Sequence, residues 1–158
     1  MNNIFNSTVE ISMRVLIILS SIDEGFDIDT LTTIDFMSTY SKDFKINNYN
    51  LHGNNNYNFS GFASRRLQIK KAINALLNAN YIKAYDSTNG IEYKINEDQK
   101  KVCNNLKSTY SLKYKKIVKL VLAKIKSKSR EQIINELNLF ITNSVIKERG
   151  ETLWVIFI

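Results

Sequence analysis

The sequence predicts a mainly α (α+β) protein: a winged helix-turn-helix with a two-stranded wing, followed by C-terminal helices. Three observations carry this. Capped, apolar-periodic helical segments fill most of the chain before residue 80. Two short strand-like runs then flank Asn89-Gly90. Everything from residue 96 to about 147 is helical again. At 158 residues, one domain with an appendage is expected. The division falls at 1–95 for the winged-helix domain and 96–158 for a helical extension with a short apolar tail.

Ser7-Thr8-Val9-Glu10 has capping-box spacing and opens a helix over 7–21, with Ile11, Val15, Ile18 and Ile22 at helical spacing. Gly25 follows its end. Asp29 is the expected cap of a second helix whose buried side is Leu31, Ile34, Phe36, Met37 and Tyr40. Asp23, Glu24, Asp27 and Asp29 lack the order of a calcium loop and read as caps and solvated acids. Residues 41–60 contain seven Asn, one His and one Gly and read as a long loop. Phe44, Tyr49, Tyr57 and Phe59 favour a loop that is pinned down.

A third helix over 61–79 carries Phe62, Ile69, Ile73, Leu76 and Leu77 on one side, and Asn80 is a suitable left-handed terminator. The runs 81–85 and 91–95 around Asn89-Gly90 read as a hairpin with Ile91, Tyr93 and Ile95 on one face. Helix, helix, loop, helix, hairpin is the winged-helix order, with the third helix in the recognition position. Next come a segment from Asn96 to Leu106, capped by Asn96, and a helix over 109–126 with the stripe Tyr110, Tyr114, Ile117, Val118, Val121 and Ile125. Ser129 and Gln132 form a second capping box, opening a helix to about 147. The tail 151–158 contains Trp154 and reads as an extended segment that docks internally or on a partner.

Composition excludes several classes. No apolar run approaches the ~20 residues that span a bilayer, so no membrane role is expected. The N-terminus lacks a charged region followed by an apolar stretch, so a cytoplasmic protein is expected. One Cys (Cys103) and one His (His52) rule out a disulfide framework and Cys/His zinc sites. The five glycines form no phosphate-binding loop. A Cys103–His52 pair would need the two to meet in space. No enzyme, cofactor or metal is asked for by these residues.

The net charge of +7 is uneven: residues 1–60 carry −4 and residues 61–158 carry +11. A basic half fits nucleic acid or an acidic protein surface, and equally a set of solvated helix faces. Lys70, Lys71 and Asn74 lie off the apolar side of the third helix, as a recognition helix requires. Arg65 and Arg66 lie at the edge of the apolar side, and two readings stand for them: DNA contact, or a structural or partner role such as reaching a buried acid. Lys115, Lys119 and Lys126 line up on the following long helix with Lys116 beside them, as a phosphate track or a solvated face. His52, between Leu51 and Gly53, reads as a hydrogen-bonding residue that holds the loop rather than as a titrating switch.

Several segments together resemble a known family: Arg14-Val15-Leu16-Ile17-Ile18-Leu19, Leu31-Thr32-Thr33-Ile34-Asp35-Phe36, Asp43-Phe44, Asn50-Leu51-His52-Gly53, Phe62-Ala63-Ser64-Arg65-Arg66, Ala79-Asn80-Tyr81-Ile82 and Gly90 to Ile95. Leu106, Ser108 and Tyr110 add a Leu-x-Ser-x-Tyr element. The chain resembles the middle component of bacterial ABC-three-component systems, the class that includes the small subunit of Lamassu antiphage defence. The resemblance spans residues 14–112. It departs at Asn80, where Gly is usual; Asn also tolerates the left-handed conformation.

The resemblance implies a non-enzymatic subunit encoded with a coiled-coil, SMC-like ABC ATPase and an effector, often a nuclease. It makes Leu51, His52, Gly53, Arg65 and Arg66 framework or interface residues. The leading expectation is an assembly subunit bridging ATPase and effector, with double-stranded DNA as a further partner. The alternative is a winged-helix transcriptional regulator.

Overall fold

The computed structural model describes residues 7–53 and 58–149, with side chains over 7–53 and 61–142. Its described residues form helices α1 (Thr8–Ser20), α2 (Ile28–Thr39) and α3 (Asn58–Asn78), strands β1 (Ile82–Ser87) and β2 (Gly90–Ile95), and helices α4 (Glu97–Asn104), α5 (Thr109–Ile125) and α6 (Arg130–Arg149). The order and type of the elements follow the sequence expectation: mainly helical, with one two-stranded antiparallel sheet.

Local chemistry sets the helix starts. The Ser7 hydroxyl accepts from the Glu10 amide, and the Ser108 hydroxyl accepts from that of Ser111. Ser129 and Gln132 close a reciprocal capping box: each side chain accepts from the other's backbone N–H. Two caps differ from expectation. The N-cap of α2 is Asp27, whose carboxylate accepts from Thr30 N at 2.7 Å, and Asp29 lies in the first turn. Both are acids that suit the positive end of a helix, so local pattern alone could not separate them. Asn96 occupies the cap position of α4 but makes no side-chain cap bond; its amide donates to the Asn80 carbonyl instead. Asn80 itself is left-handed, with φ 61°.

The hairpin turn is shifted by one residue. Ser87 pairs with Gly90, so Thr88 and Asn89 form the turn and Gly90 opens β2. Gly90 has φ +99° and Asn89 has no positive φ, which excludes the type I′ geometry that Asn-Gly first suggests. The sheet has a further attachment. Phe26, in the link between α1 and α2, exchanges both backbone hydrogen bonds with Tyr93 at 3.1 and 2.9 Å. Gly25 makes that approach feasible, because a Cβ there would lie 2.7 Å from the Tyr93 carbonyl oxygen.

Helix α2 is the axis of the fold. Every residue from Thr30 to Thr39 is buried. Its polar side chains survive this because Thr32, Thr33 and Thr39 return their hydroxyls to carbonyls one turn back, at Ile28, Asp29 and Asp35. Helices α1, α3, α5 and α6 all pack on it. The expected stripes of α1, α3 and α5 face this interior: Ile11, Val15, Ile18, Ile69, Ile73, Leu76, Tyr114, Ile117, Val118 and Val121 are at most 3 % exposed.

The segment after α2 is short of regular structure but pinned. Phe36 holds Phe44 edge-on at 6.1 Å, and Phe44 lies 4.2 Å from the Phe140 ring on α6. The Ser41 carbonyl accepts from Ile46 at 2.9 Å, and the Ser41 hydroxyl donates to the Tyr49 carbonyl. Tyr57, Trp154 and the apolar tail lie outside the described residues, as do the side chains of Phe59 and Val145.

Candidate functional site

The residues that the sequence singles out separate into an interior cluster and two outward faces. The interior cluster is built on Asp35, in the middle of α2 and fully buried. Its carboxylate accepts from Arg14 of α1 (Nε at 2.8 Å, Nη2 at 3.2 Å), from Arg65 of α3 (Nη1 at 2.6 Å) and from the Tyr114 hydroxyl of α5 (2.6 Å). Arg65 also donates to the Thr39 hydroxyl at 3.1 Å, and its guanidinium lies about 6 Å from the Phe36 and Tyr40 ring centres. Arg14 and Tyr114 are fully buried and Arg65 is 2 % exposed.

Burial works against every charge here, and pairing outweighs it. Desolvation would raise the Asp35 carboxyl, but Arg14, Arg65 and the hydrogen bonds hold it well below the usual carboxylate range. Burial followed by the Asp35 charge pushes the Tyr114 phenol well above its ordinary value, so it remains a proton donor to Asp35. The cluster is therefore a fixed-charge strut tying α1, α2, α3 and α5 together. Arg65 is turned inward to a buried acid.

The Leu-His-Gly loop leans on the same strut. His52 Nε2 and the Tyr110 hydroxyl share a hydrogen bond of 2.8 Å, the two rings stack at 6.1 Å, and Tyr110 stacks on Tyr114 at 6.2 Å. Leu51 packs half-buried against the core, and Gly53 takes φ +74°. Burial first, then the nearby charges of Arg14 and Arg65, pulls the His52 pKa down to about 3.

This sets a pH dependence. An unfolded His52 titrates near 6.5, whereas the folded one stays neutral down to about 3. Its contribution is complete above pH 6.5 and is lost as pH falls through that window. Between pH 7.5 and 5.0 the loss is expected to be about 2 kcal/mol, at about 1.4 kcal/mol per pH unit. Urea unfolding of the wild type and of His52→Gln at both pH values checks this. An equal pH dependence in the two proteins would exclude His52 as its source.

Arg66 does not join the interior cluster. It pairs with Asp29 at 2.8 Å in a half-exposed bridge, and Arg130 of α6 reaches the same Asp29 at 3.4 Å while also binding Asp27. Exposed pairs of this kind contribute ~1 kcal/mol or less.

The outward residues lie on separate helices. Lys70, Lys71 and Asn74 are exposed together on α3, beside Leu67 at 63 % exposure. Neither α3 nor α5 contains a single Asp or Glu. On α5, Lys116 and Lys119 are exposed, as is Lys126 just beyond its end. Lys115 is not part of that exposed face. Its ammonium donates to the carbonyls of Cys103 and Leu106, satisfying the C-terminal end of α4. Lys126 also lines a cleft of about 770 Å³ between the α1–α2 link, the hairpin and the start of α6, with Ile22, Phe26 and Leu122 among its apolar lining.

Arg14, Asp35 and Tyr114 were not singled out as a site by sequence reasoning. A signal existed: Arg14 interrupts the apolar run of α1, and Asp35 sits between Ile34 and Phe36. Opposite charges on the apolar faces of two buried helices call for a pair.

A family model described as ABC-three component (ABC-3C) system Middle Component 2 matches residues 4–147. No curated protein and no solved structure matches the chain.

Proposed function

The chain belongs to the ABC-three-component system middle component 2 family, and from that membership we propose that it is a non-enzymatic assembly subunit bridging an SMC-like coiled-coil ABC ATPase and a nuclease-type effector, as in Lamassu-type antiphage defence in the cytoplasm. The family match over residues 4–147 carries this reading. The fate of the motif residues supports it. Arg65 and His52 are spent on the interior strut and its flanking loop, a framework role suited to presenting surfaces.

The arrangement also favours a winged-helix core. The order α1, α2, α3, β1, β2 matches that fold, and Phe26 bridges Tyr93 where such a fold places its first short strand. In this reading residues 1–95 are the winged-helix part, 96–158 the extension, and α3 the helix that meets double-stranded DNA. Contact would be through Lys70 and Lys71 to phosphate, with Asn74 alongside. Lys70→Glu with Lys71→Glu is then expected to weaken DNA binding at all sequences and to reduce the salt slope by about 2. An unchanged slope on titration from 50 to 200 mM salt would remove α3 from the DNA interface.

The same exposed α3 residues favour a second reading, a winged-helix regulator that dimerises through its C-terminal helices. Purification of the tagged chain from its native operon, with the intact mass of the complex, separates the two. Co-purification of a coiled-coil ATPase and an effector is the expected result. A lone homodimer that binds its own promoter with a high specificity ratio would overturn it.

A further inference from the structure

We propose that the outward face of α5 is the docking site for an acidic amphipathic helix of a partner subunit. The proposal rests on the reading of this chain as an assembly subunit and names a surface that such a role would use.

The first observation is that α5 is apolar on two sides. Its inner stripe is buried against α2. Its outer side carries Leu112 at 52 % and Leu120 at 42 % exposure, with Ala123 also exposed. At about 100° per residue these three fall within about 80° of the helix circumference. The two leucines stand two turns apart, about 12 Å along the axis. A surface helix needs one apolar stripe; a second belongs to a helix covered on both sides.

Charge selects the occupant. Helix α5 has five lysines and no acid. Three of the lysines are engaged within the molecule. Lys115 holds the end of α4, Lys124 binds the Phe44 carbonyl and Glu136, and Lys113 lies over the Tyr49 ring at 5.6 Å. Lys116 and Lys119, with Lys126 beyond the helix end, project among the exposed leucines. A second copy of the same face would set lysine against lysine, which disfavours self-association. A phosphate backbone would satisfy the lysines and leave both leucines against water. An acidic helix with apolar residues two turns apart satisfies both at once, ridge against ridge.

The test uses the complex co-expressed from its own operon. Three variants are compared: Leu112→Ser with Leu120→Ser, Lys116→Glu with Lys119→Glu, and Lys70→Glu with Lys71→Glu on α3. The four α5 positions are solvent-exposed, so the free α5 variants are expected to melt like the wild type. Each α5 pair is expected to weaken retention of one partner subunit by at least tenfold, and the α3 pair to leave retention unchanged. A photo-crosslinking amino acid in place of Lys116 is expected to join an acidic helical segment of that subunit.

Full retention by both α5 variants, in a complex that the wild type forms, would overturn the docking site and leave the assembly reading standing. A wild-type chain that captures no operon-encoded subunit would overturn both. A wild-type homodimer split by the α5 variants would assign the face to a second copy and overturn the proposal. So would a loss confined to DNA affinity and its salt slope, which would assign the face to nucleic acid.

Discussion

Asp35→Ala is expected to cost about 3–5 kcal/mol, enough to leave a domain of ordinary stability at the edge of unfolding. The cost does not come from four lost hydrogen bonds alone. The substitution leaves two guanidinium groups and a phenol inside the protein, at 0–2 % exposure, with their shared acceptor gone. Water cannot reach them without opening α2 to solvent. A paired design makes the expectation specific. Replacing the three charged members of the cluster with apolar residues (Arg14→Met, Asp35→Leu, Arg65→Met) is expected to be far less damaging than Asp35→Ala, because no uncompensated charge remains. Arg66→Ala, at the half-exposed Asp29 bridge, is expected to cost ~1 kcal/mol or less. Denaturant midpoints rank the three. If the triple variant is as unstable as Asp35→Ala, the strut stabilises through its pairing rather than through mere avoidance of buried charge.

Phe36→Ala is expected to cost about 3–5 kcal/mol as well, for a different reason. Its ring is fully buried and meets Tyr40 at 5.1 Å, Phe62 at 5.5 Å and Phe44 at 6.1 Å. Through Phe44 it fixes the segment after α2 to Phe140 on α6. The lost ring therefore leaves a cavity and releases the loop that carries Leu51, His52 and Gly53. Hydrogen exchange separates this from a uniform loss of stability. The Ile46 amide, bonded to Ser41, is expected to lose more protection than the Tyr93 amide, bonded to Phe26. Leu139→Ala, at 64 % exposure, is the control and is expected to stay within about 0.5 kcal/mol. Equal loss of protection at Ile46 and Tyr93 would show that the aromatic cluster does not hold the loop locally.

What the sequence could disclose was governed by range. Capping is decided within four residues, so Ser7 with Glu10 and Ser129 with Gln132 were legible. The left-handed turn at Asn80 was legible for the same reason. Asp27 and Asp29 are chemically alike and two residues apart, and only the observed carboxylate–amide bond chooses between them. Helical periodicity reports burial on one side. It therefore described α1, α3 and α5 well, but not α2, which is covered all round and satisfies its threonines on its own backbone.

The candidate site was legible in part. Arg65 was visible as an arginine at the edge of the apolar side of its helix, and reaching a buried acid was part of one of its two readings. That the acid is Asp35, shared with Arg14 and Tyr114, depends on contacts across 21, 30 and 79 residues, which no local pattern encodes. Lys115 shows the converse. A helical projection places it with Lys119, but α4 comes to rest beside it and turns it inward.

The spacing of the Asp35 donors along the chain has a consequence for synthesis. Arg14 leaves the ribosome before Asp35, Arg65 soon after, and Tyr114 last. At about 5–20 residues per second, the 79 residues between Asp35 and Tyr114 occupy roughly 4–16 s. Helix formation itself takes about a microsecond, so the α2 segment spends that interval without the helix that covers it. Closure of the interior is thus timed by translation rather than by the chain's own motions. For several seconds the nascent protein displays the side of α2 that α5 will cover to chaperones and to neighbouring nascent chains.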